Sequence, residues 1–141
     1  MNALTVLIDA DVLIDFLTDR GALTKTAKEL MKKSQENKIH AFLAAHSVTN
    51  IFYILRKIYS VSERKQCLID LCKAISIVEI GHKVIFNALA NNDFDDIEDC
   101  LQAECAITVR ADYIVTRNIN DYSHSTVPAI LPDNLLKKLE S

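Results

Sequence analysis

Two acidic stretches, far apart in the chain, hold the residues best suited to chemistry. The first is Leu4-Thr5-Val6-Leu7-Ile8-Asp9-Ala10-Asp11-Val12-Leu13-Ile14-Asp15, an apolar run that stops at Asp9 and continues with helical spacing. The second is Asp93-Phe94-Asp95-Asp96-Ile97-Glu98-Asp99, followed by Ala111-Asp112-Tyr113-Ile114-Val115-Thr116-Arg117-Asn118. A strand that carries Leu7 and Ile8 into a core has little local reason to end on a carboxylate. Ligand sites in open α/β sheets lie just outside the carboxyl ends of the strands. Acids that converge there repel one another unless a hard divalent cation neutralises them. The chemistry suggested is that of a site for a hard divalent cation.

Within the first stretch Asp9 is the candidate ligand. Asp11 is better placed to cap the helix that follows, and Asp15 reads as a solvated helix residue. In the second, Asp96 and Asp99 are three apart and share a helix face in a first turn, where the helix dipole favours carboxylates. Ile97 and Leu101 mark the buried face, which turns Asp99 toward the sheet edge. Asp93 and Asp95 read as loop residues.

Other chemistries lack their residues. With only Gly21 and Gly81 there is no Gly-rich phosphate loop. His40, His46, His82 and His124 are scattered, and no Ser or Cys occupies a nucleophile elbow. Cys67, Cys72, Cys100 and Cys105 have no Cys-x-x-Cys spacing and read as reduced, packed thiols rather than zinc ligands. Carboxylates, amides and hydroxyls remain, a donor set that favours Mg²⁺ or Mn²⁺.

Positioning such residues requires a sheet. Leu4 to Asp9, Ile39 to Ala45, Ile75 to Ile80, Tyr113 to Thr116 and a short edge run Val127 to Leu131 read as strands. Helices are expected over Val12 to Leu17, Thr24 to Asn37 (with a capping box at Thr26 and Glu29), and from Ser47 through Val48, Ile51, Phe52, Leu55, Ile58 and Tyr59. Further helices are expected over Ser62 to Lys73, His82 to Ala90, Asp96 to Val109 (burying Ile97, Leu101 and Cys105), and Asn134 to Leu139 behind Pro132. Alternating strands and helices imply a single-domain, three-layer α/β/α sandwich over residues 1–141, with a mostly parallel sheet of four or five strands.

Half of the 141 residues are hydrophobic and the net charge is −3. Five of the 19 acids lie in residues 93–99, so against 16 Lys and Arg the rest of the chain carries +2. Cations recur at Lys25, Lys28, Lys32, Lys33, Arg56, Lys57, Arg64, Lys65, Arg110 and Arg117. An acidic pocket bordered by cations suits phosphodiester chemistry. No membrane span or signal peptide is evident, and a cytoplasmic protein is expected.

Strand-end Asp9, the segment Phe94-x-Asp96-x-Glu98-Asp99-x-Leu101-Gln102, and Ala111 through Asn118 with Asp121 together resemble a PIN domain. The likeness is greatest to the VapC-like branch, the bacterial toxin ribonucleases of toxin–antitoxin pairs. It extends over the whole chain, including Ser47-Val48-Thr49-Asn50-Ile51-Phe52-Tyr53-Ile54-Leu55-Arg56-Lys57. The resemblance implies acids from the first strand, a middle helix, a later helix and a Thr-Arg-Asp turn around one or two divalent cations, which activate water to cleave RNA. Asp9 and Asp99 match the first and third positions. Asn50 stands where the family commonly has Glu, and Asn118 where it commonly has Asp. An amide oxygen coordinates without charge, so affinity for Mg²⁺ or Mn²⁺ is expected to be weaker, with Asp96 and Asp121 placed to compensate. Thr116 is expected to hydrogen-bond a phosphate oxygen or bound water, and Arg117 to pair with phosphate or form a surface salt bridge. Tyr53, Tyr113 and Phe52 read as core. A homodimer and a small antitoxin partner are also implied. Two alternatives stand beside this reading. One is a PIN-like module that no longer cleaves but binds RNA or a protein. The other is a phosphoacceptor domain using Asp9, Asp11 and Lys83.

Overall fold

The structure is a computed structural model that describes residues 3–140. The first strand, β1 (Leu4–Ile8), leads into α1 (Ala10–Leu17) and α2 (Ala22–Gln35), then β2 (Ile39–Ala44). Next come α3 (Ala45–Ile54), continued by a 3₁₀ turn Leu55–Lys57, then α4 (Val61–Ala74) and β3 (Ser76–Val78). The remainder is α5 (His82–Ala90), α6 (Ile97–Thr108), β4 (Tyr113–Val115), a 3₁₀ turn Ile119–Tyr122, β5 (Ala129–Ile130) and α7 (Pro132–Glu140). The five strands are all parallel, in the order β3-β2-β1-β4-β5.

Side chains alternate across the sheet as the strand period requires. Val6 and Ile8 face a core built with Leu13, Leu30, Ile51, Leu68 and Leu135 of α1, α2, α3, α4 and α7. Leu7 and Ile114 face the opposite core, with Cys105 and Ala106 of α6 and with Tyr122 and Val127. Helices therefore cover both faces, giving the three layers expected. The chain order reverses between β1 and β4, and that reversal places a crevice at their carboxyl ends. No helix among the described residues is long and apolar enough to cross a membrane.

Several local expectations need correction. Helix α2 starts at Ala22, after Gly21 in the left-handed region at φ 61°, so Thr26 is too far in to cap it. The Thr26 hydroxyl instead donates to Asp133 of α7 at 3.1 Å. The capping box is at α4, where Ser60 Oγ accepts from the Glu63 N–H at 3.2 Å and Glu63 Oε1 accepts from the Ser60 N–H at 2.9 Å. Helix α6 does not bury Ile97, which is exposed at the first helical position, and Leu101 is only half-buried. Cys100, Ala103 and Ala106 face inward instead, because small side chains let α6 approach closely. Tyr53 is not core: it is exposed, with the Arg56 guanidinium 3.8 Å from its ring centre. All four cysteines are free, with Cys100 and Cys105 buried.

Candidate active site

Asp9 is held where β1 ends. Its N–H donates to the Val115 carbonyl at 2.9 Å, which extends the β1–β4 ladder by one residue. It then serves as N-cap of α1 in an extended conformation, its Oδ1 accepting from the Ala10 N–H at 2.7 Å. The capping role expected of Asp11 thus belongs to Asp9. Oδ1 also accepts from Gln102 Nε2 at 3.2 Å, while Oδ2 accepts from Thr116 Oγ1 and from Tyr122 Oη, each at 2.9 Å. Gln102 is buried and its Nε2 also reaches Ser47 Oγ at 3.0 Å, so one amide joins α6, α3 and the β1 carboxylate. Thr116 is wholly buried, and its hydroxyl orients Asp9 from within.

Asp11 turns toward the segment after β4. Its Oδ2 accepts from the Arg117 N–H at 3.1 Å and from Asn118 Nδ2 at 3.0 Å. An aspartate at position 118 would face Asp11 with a second negative charge; the amide supplies a donor instead. Asp11 Oδ1 is buried and has no hydrogen-bond partner among the described residues. Burial first, and then the nearby Asp9 charge, push the Asp11 carboxyl up to about 6.

Asp15, expected to be solvated, is 2% exposed and accepts from Arg117 Nε at 2.7 Å. Arg117 NH2 and Arg20 NH1 approach its other oxygen at 3.4 Å. Of the two roles expected for Arg117 the structure shows the salt bridge: its half-buried guanidinium pairs with Asp15, whose own side chain is buried.

The second acidic stretch divides by role. Asp96 caps α6, its Oδ1 accepting from the Glu98 and Asp99 N–H groups at 2.8 and 3.1 Å. Asp93, Asp95, Asp96, Asp99, Asp121 and His124 line a cleft of about 450 Å³. Burial pushes the Asp99 carboxyl up to about 7, reinforced by the charges of Asp96, Asp121, Asp9 and Glu98. Asp99 thus feels both the cleft acids and Asp9. Asn50 is half-buried on α3, one turn beyond His46 and Ser47, and makes no hydrogen bond to these acids among the described residues. His46 lies in the field of Glu98 and Asp9. Burial lowers its pKa, and its Nδ1 is buried without a partner among the described residues.

A pH dependence follows. With its folded pKa raised, Asp99 binds its proton more tightly folded than unfolded, so its contribution to stability falls as pH rises from 3.8 to about 7. Asp11 acts in the same direction between 3.8 and about 6. In EDTA the melting temperature should therefore fall from pH 5 to pH 8, and Asp99→Asn should flatten that fall. An Asp99→Asn variant that melts well below wild type at pH 8 in EDTA would show that the carboxylate supports the fold.

No three His, Cys, Asp or Glu side chains among the described residues are gathered into a ready-made cage. The donor set still fits a hard cation. Mg²⁺ is commonly held by one or two carboxylates plus waters rather than by a protein cage. Asp11 Oδ1 is a buried oxygen without a donor, and the Asp11 and Asp99 carboxyls are raised first by burial and then by the charge of neighbouring acids.

Asp11 carries a sequence signal beside Asp9, whereas Asp15, Gln102, Tyr122 and His46 are not identifiable as parts of this constellation from sequence. Gln102 lay inside the recognised motif, but the others had no local signal.

Solved structures share the fold at low identity. A toxin of Mycobacterium tuberculosis, VapC20, described as cleaving the sarcin–ricin loop, is 12% identical, with a TM-score of 0.68 over 89% of this chain and 98% of that one. A Klebsiella pneumoniae toxin–antitoxin complex gives 16% and 0.68 over 90% and 97%. VapBC-1 of nontypeable Haemophilus influenzae gives 8% and 0.69 over 92% and 99%. No curated protein matches the sequence. The PIN domain model matches residues 5–120, the span from β1 to the turn that carries Asp121. With the parallel sheet, the strand-end Asp9 and the acids of α6 in that span, the chain belongs to the PIN domain family.

Proposed function

We propose that this protein is a metal-dependent endoribonuclease, the toxin of a toxin–antitoxin pair, acting at the crevice between β1 and β4. The observation that carries the reading is Asp9: a strand-end carboxylate at the chain-order reversal, oriented by Gln102, Thr116 and Tyr122, and in the field of Asp99. Asp9 and Asp99 would hold the ion, with Asp11 beside them and Asp121 and Asp96 on the cleft side. When bound, Mg²⁺ or Mn²⁺ lowers the pKa of a coordinated water and neutralises phosphate charge.

The protein's own residues do the rest. Gln102, Thr116 and Tyr122 fix the Asp9 carboxylate. Asp15 holds the Arg117 side chain inward, which sets the turn whose N–H and Asn118 amide orient Asp11. With amides at 50 and 118 the site carries less charge than a four-carboxylate site, and Mn²⁺, less strict in geometry, should serve at least as well as Mg²⁺. By resemblance to the VapBC and other toxin–antitoxin structures, a small antitoxin and a homodimer are proposed as partners. A module that binds without cleaving is the second reading, favoured by the full set of donors already on Asp9.

Single-stranded RNA incubated with the wild type and Asn50→Glu across a Mn²⁺ titration tests the proposal. Cleavage that stops in EDTA, and that Asn50→Glu reaches at lower Mn²⁺, is the expected result. No cleavage by either protein at any concentration would leave the binding module.

A further inference from the structure

The Asp9 carboxylate is fully engaged without an ion. A carboxylate offers about four lone-pair sites, and four donors fill them. Oδ1 accepts from the Ala10 N–H at 2.7 Å and Gln102 Nε2 at 3.2 Å; Oδ2 accepts from Thr116 Oγ1 and Tyr122 Oη, both at 2.9 Å. An ion that binds Asp9 must take the place of one of them.

The four differ in how firmly they are placed. The Ala10 N–H belongs to the first turn of α1. Gln102 is buried and also bonded to Ser47. Thr116 is wholly buried, and its oxygen accepts from the Asn118 N–H at 3.0 Å. Tyr122 is as buried as Gln102 and lies at the end of a short 3₁₀ turn; what sets it apart is that Asp9 is the sole hydrogen-bond partner of its hydroxyl among the described residues. Its phenol is raised first by burial, then by Asp9, and further by Asp99 and Asp11. Its O–H, pointed at Asp9 Oδ2 from 2.9 Å, brings a partial positive charge to the carboxylate.

We propose that the Tyr122 hydroxyl is the resident occupant of the cation position on Asp9 Oδ2, so that a divalent ion loads only as this hydroxyl leaves. The inference rests on the metal-dependent reading above and adds the residue that sets ion affinity. Tyr122→Phe keeps the ring in its buried place and frees one lone pair. Because a hydrogen bond to a charged group no longer has to be broken, Mn²⁺ should bind about tenfold tighter or more.

Mn²⁺ binding is to be measured by electron paramagnetic resonance of the free ion, for wild type, Tyr122→Phe and Asp9→Asn. Alongside it, Mg²⁺ titration of wild type and Tyr122→Phe is followed by the near-ultraviolet tyrosine difference spectrum. The expected result is tighter binding by Tyr122→Phe and loss of binding in Asp9→Asn. A tyrosine signal on Mg²⁺ addition should appear in wild type and be absent from Tyr122→Phe. Equal or weaker binding by Tyr122→Phe, with Asp9→Asn still abolishing it, overturns the role of Tyr122 and leaves the metal site standing. A wild-type spectrum unmoved by saturating Mg²⁺ does the same, even should the Phe variant not fold. Binding that survives Asp9→Asn, or no binding by any folded variant, overturns the metal-dependent reading itself and this inference with it.

Discussion

Asp9→Ala should lower RNA cleavage about a thousandfold or more, equivalent to ~4 kcal/mol of lost transition-state stabilisation. The reasoning starts from the number of roles that meet on one carboxylate. Asp9 stands at the chain-order reversal, is fixed by four donors, and contributes to the charge that raises both Asp11 and Asp99. Without it the proposed cation site has no carboxylate at the end of β1, and the next acid of that segment, Asp11, is already engaged by the Arg117 N–H and Asn118 Nδ2. The truncation also leaves the buried Tyr122 hydroxyl without its acceptor, a cost of about 1–3 kcal/mol, whereas Gln102 keeps Ser47 Oγ and Thr116 keeps Asp11 Oδ2 at 3.4 Å. Relief of repulsion with Asp11 and Asp99 offsets part of this. Cleavage rates at saturating Mn²⁺, with melting curves to show that the variant is folded, give the check. Residual activity within tenfold of wild type would remove Asp9 from the mechanism.

Arg117→Ala should destabilise the protein by about 3 kcal/mol or somewhat less, near the lower end of the range for stranding a buried charge, because Asp15 is buried while Arg117 is 32% exposed. Asp15 has a side chain only 3% exposed, and Arg20 NH1, at 3.4 Å and itself 43% exposed, is a poor replacement for Arg117 Nε at 2.7 Å. The loss comes chiefly from leaving a carboxylate desolvated rather than from the attraction itself. For that reason the double variant Asp15→Leu with Arg117→Leu should recover most of the stability. Urea unfolding reports both, as a shift in midpoint at unchanged slope. A single variant within 0.5 kcal/mol of wild type, the usual range for surface changes, would show that the pair is solvated and weak.

The sequence made the sheet legible because its strands announce themselves locally. Leu4 to Ile8 and Tyr113 to Val115 are short apolar runs ended by polar residues, and the helices between them follow a 3.6 period. Asp9 was legible for the same reason, as a carboxylate where a buried strand ends. The partners of the acids were not. Asp15 has the spacing of any amphipathic helix residue, and what buries it is Arg117, 102 residues away. Tyr122 reaches Asp9 across 113 residues, and Gln102 across 93. Such contacts are properties of the assembled sheet, and no local pattern encodes them. The face of α6 was misjudged because size outweighed hydropathy: Cys100, Ala103 and Ala106 permit close approach, whereas Ile97 precedes the part of the helix that packs. The capping box was misplaced because Thr26-x-x-Glu29 and Ser60-x-x-Glu63 have the same spacing, and only the second falls at a helix start.

The central position of β1 also bears on synthesis. Of the strands of this sheet β1 is made before the others, but its β4 neighbour and the hydroxyls of Thr116 and Tyr122 follow more than a hundred residues later. Bringing them together closes a very long loop before any contact rewards it, which makes this pairing slow relative to β1–β2. A nascent or prematurely terminated chain that stops short of β4 would carry β1 paired only with β2, and an Asp9 whose Oδ2 lacks the Thr116 and Tyr122 hydroxyls. The full set of donors on Asp9 is thus present only once the chain has been made through Tyr122.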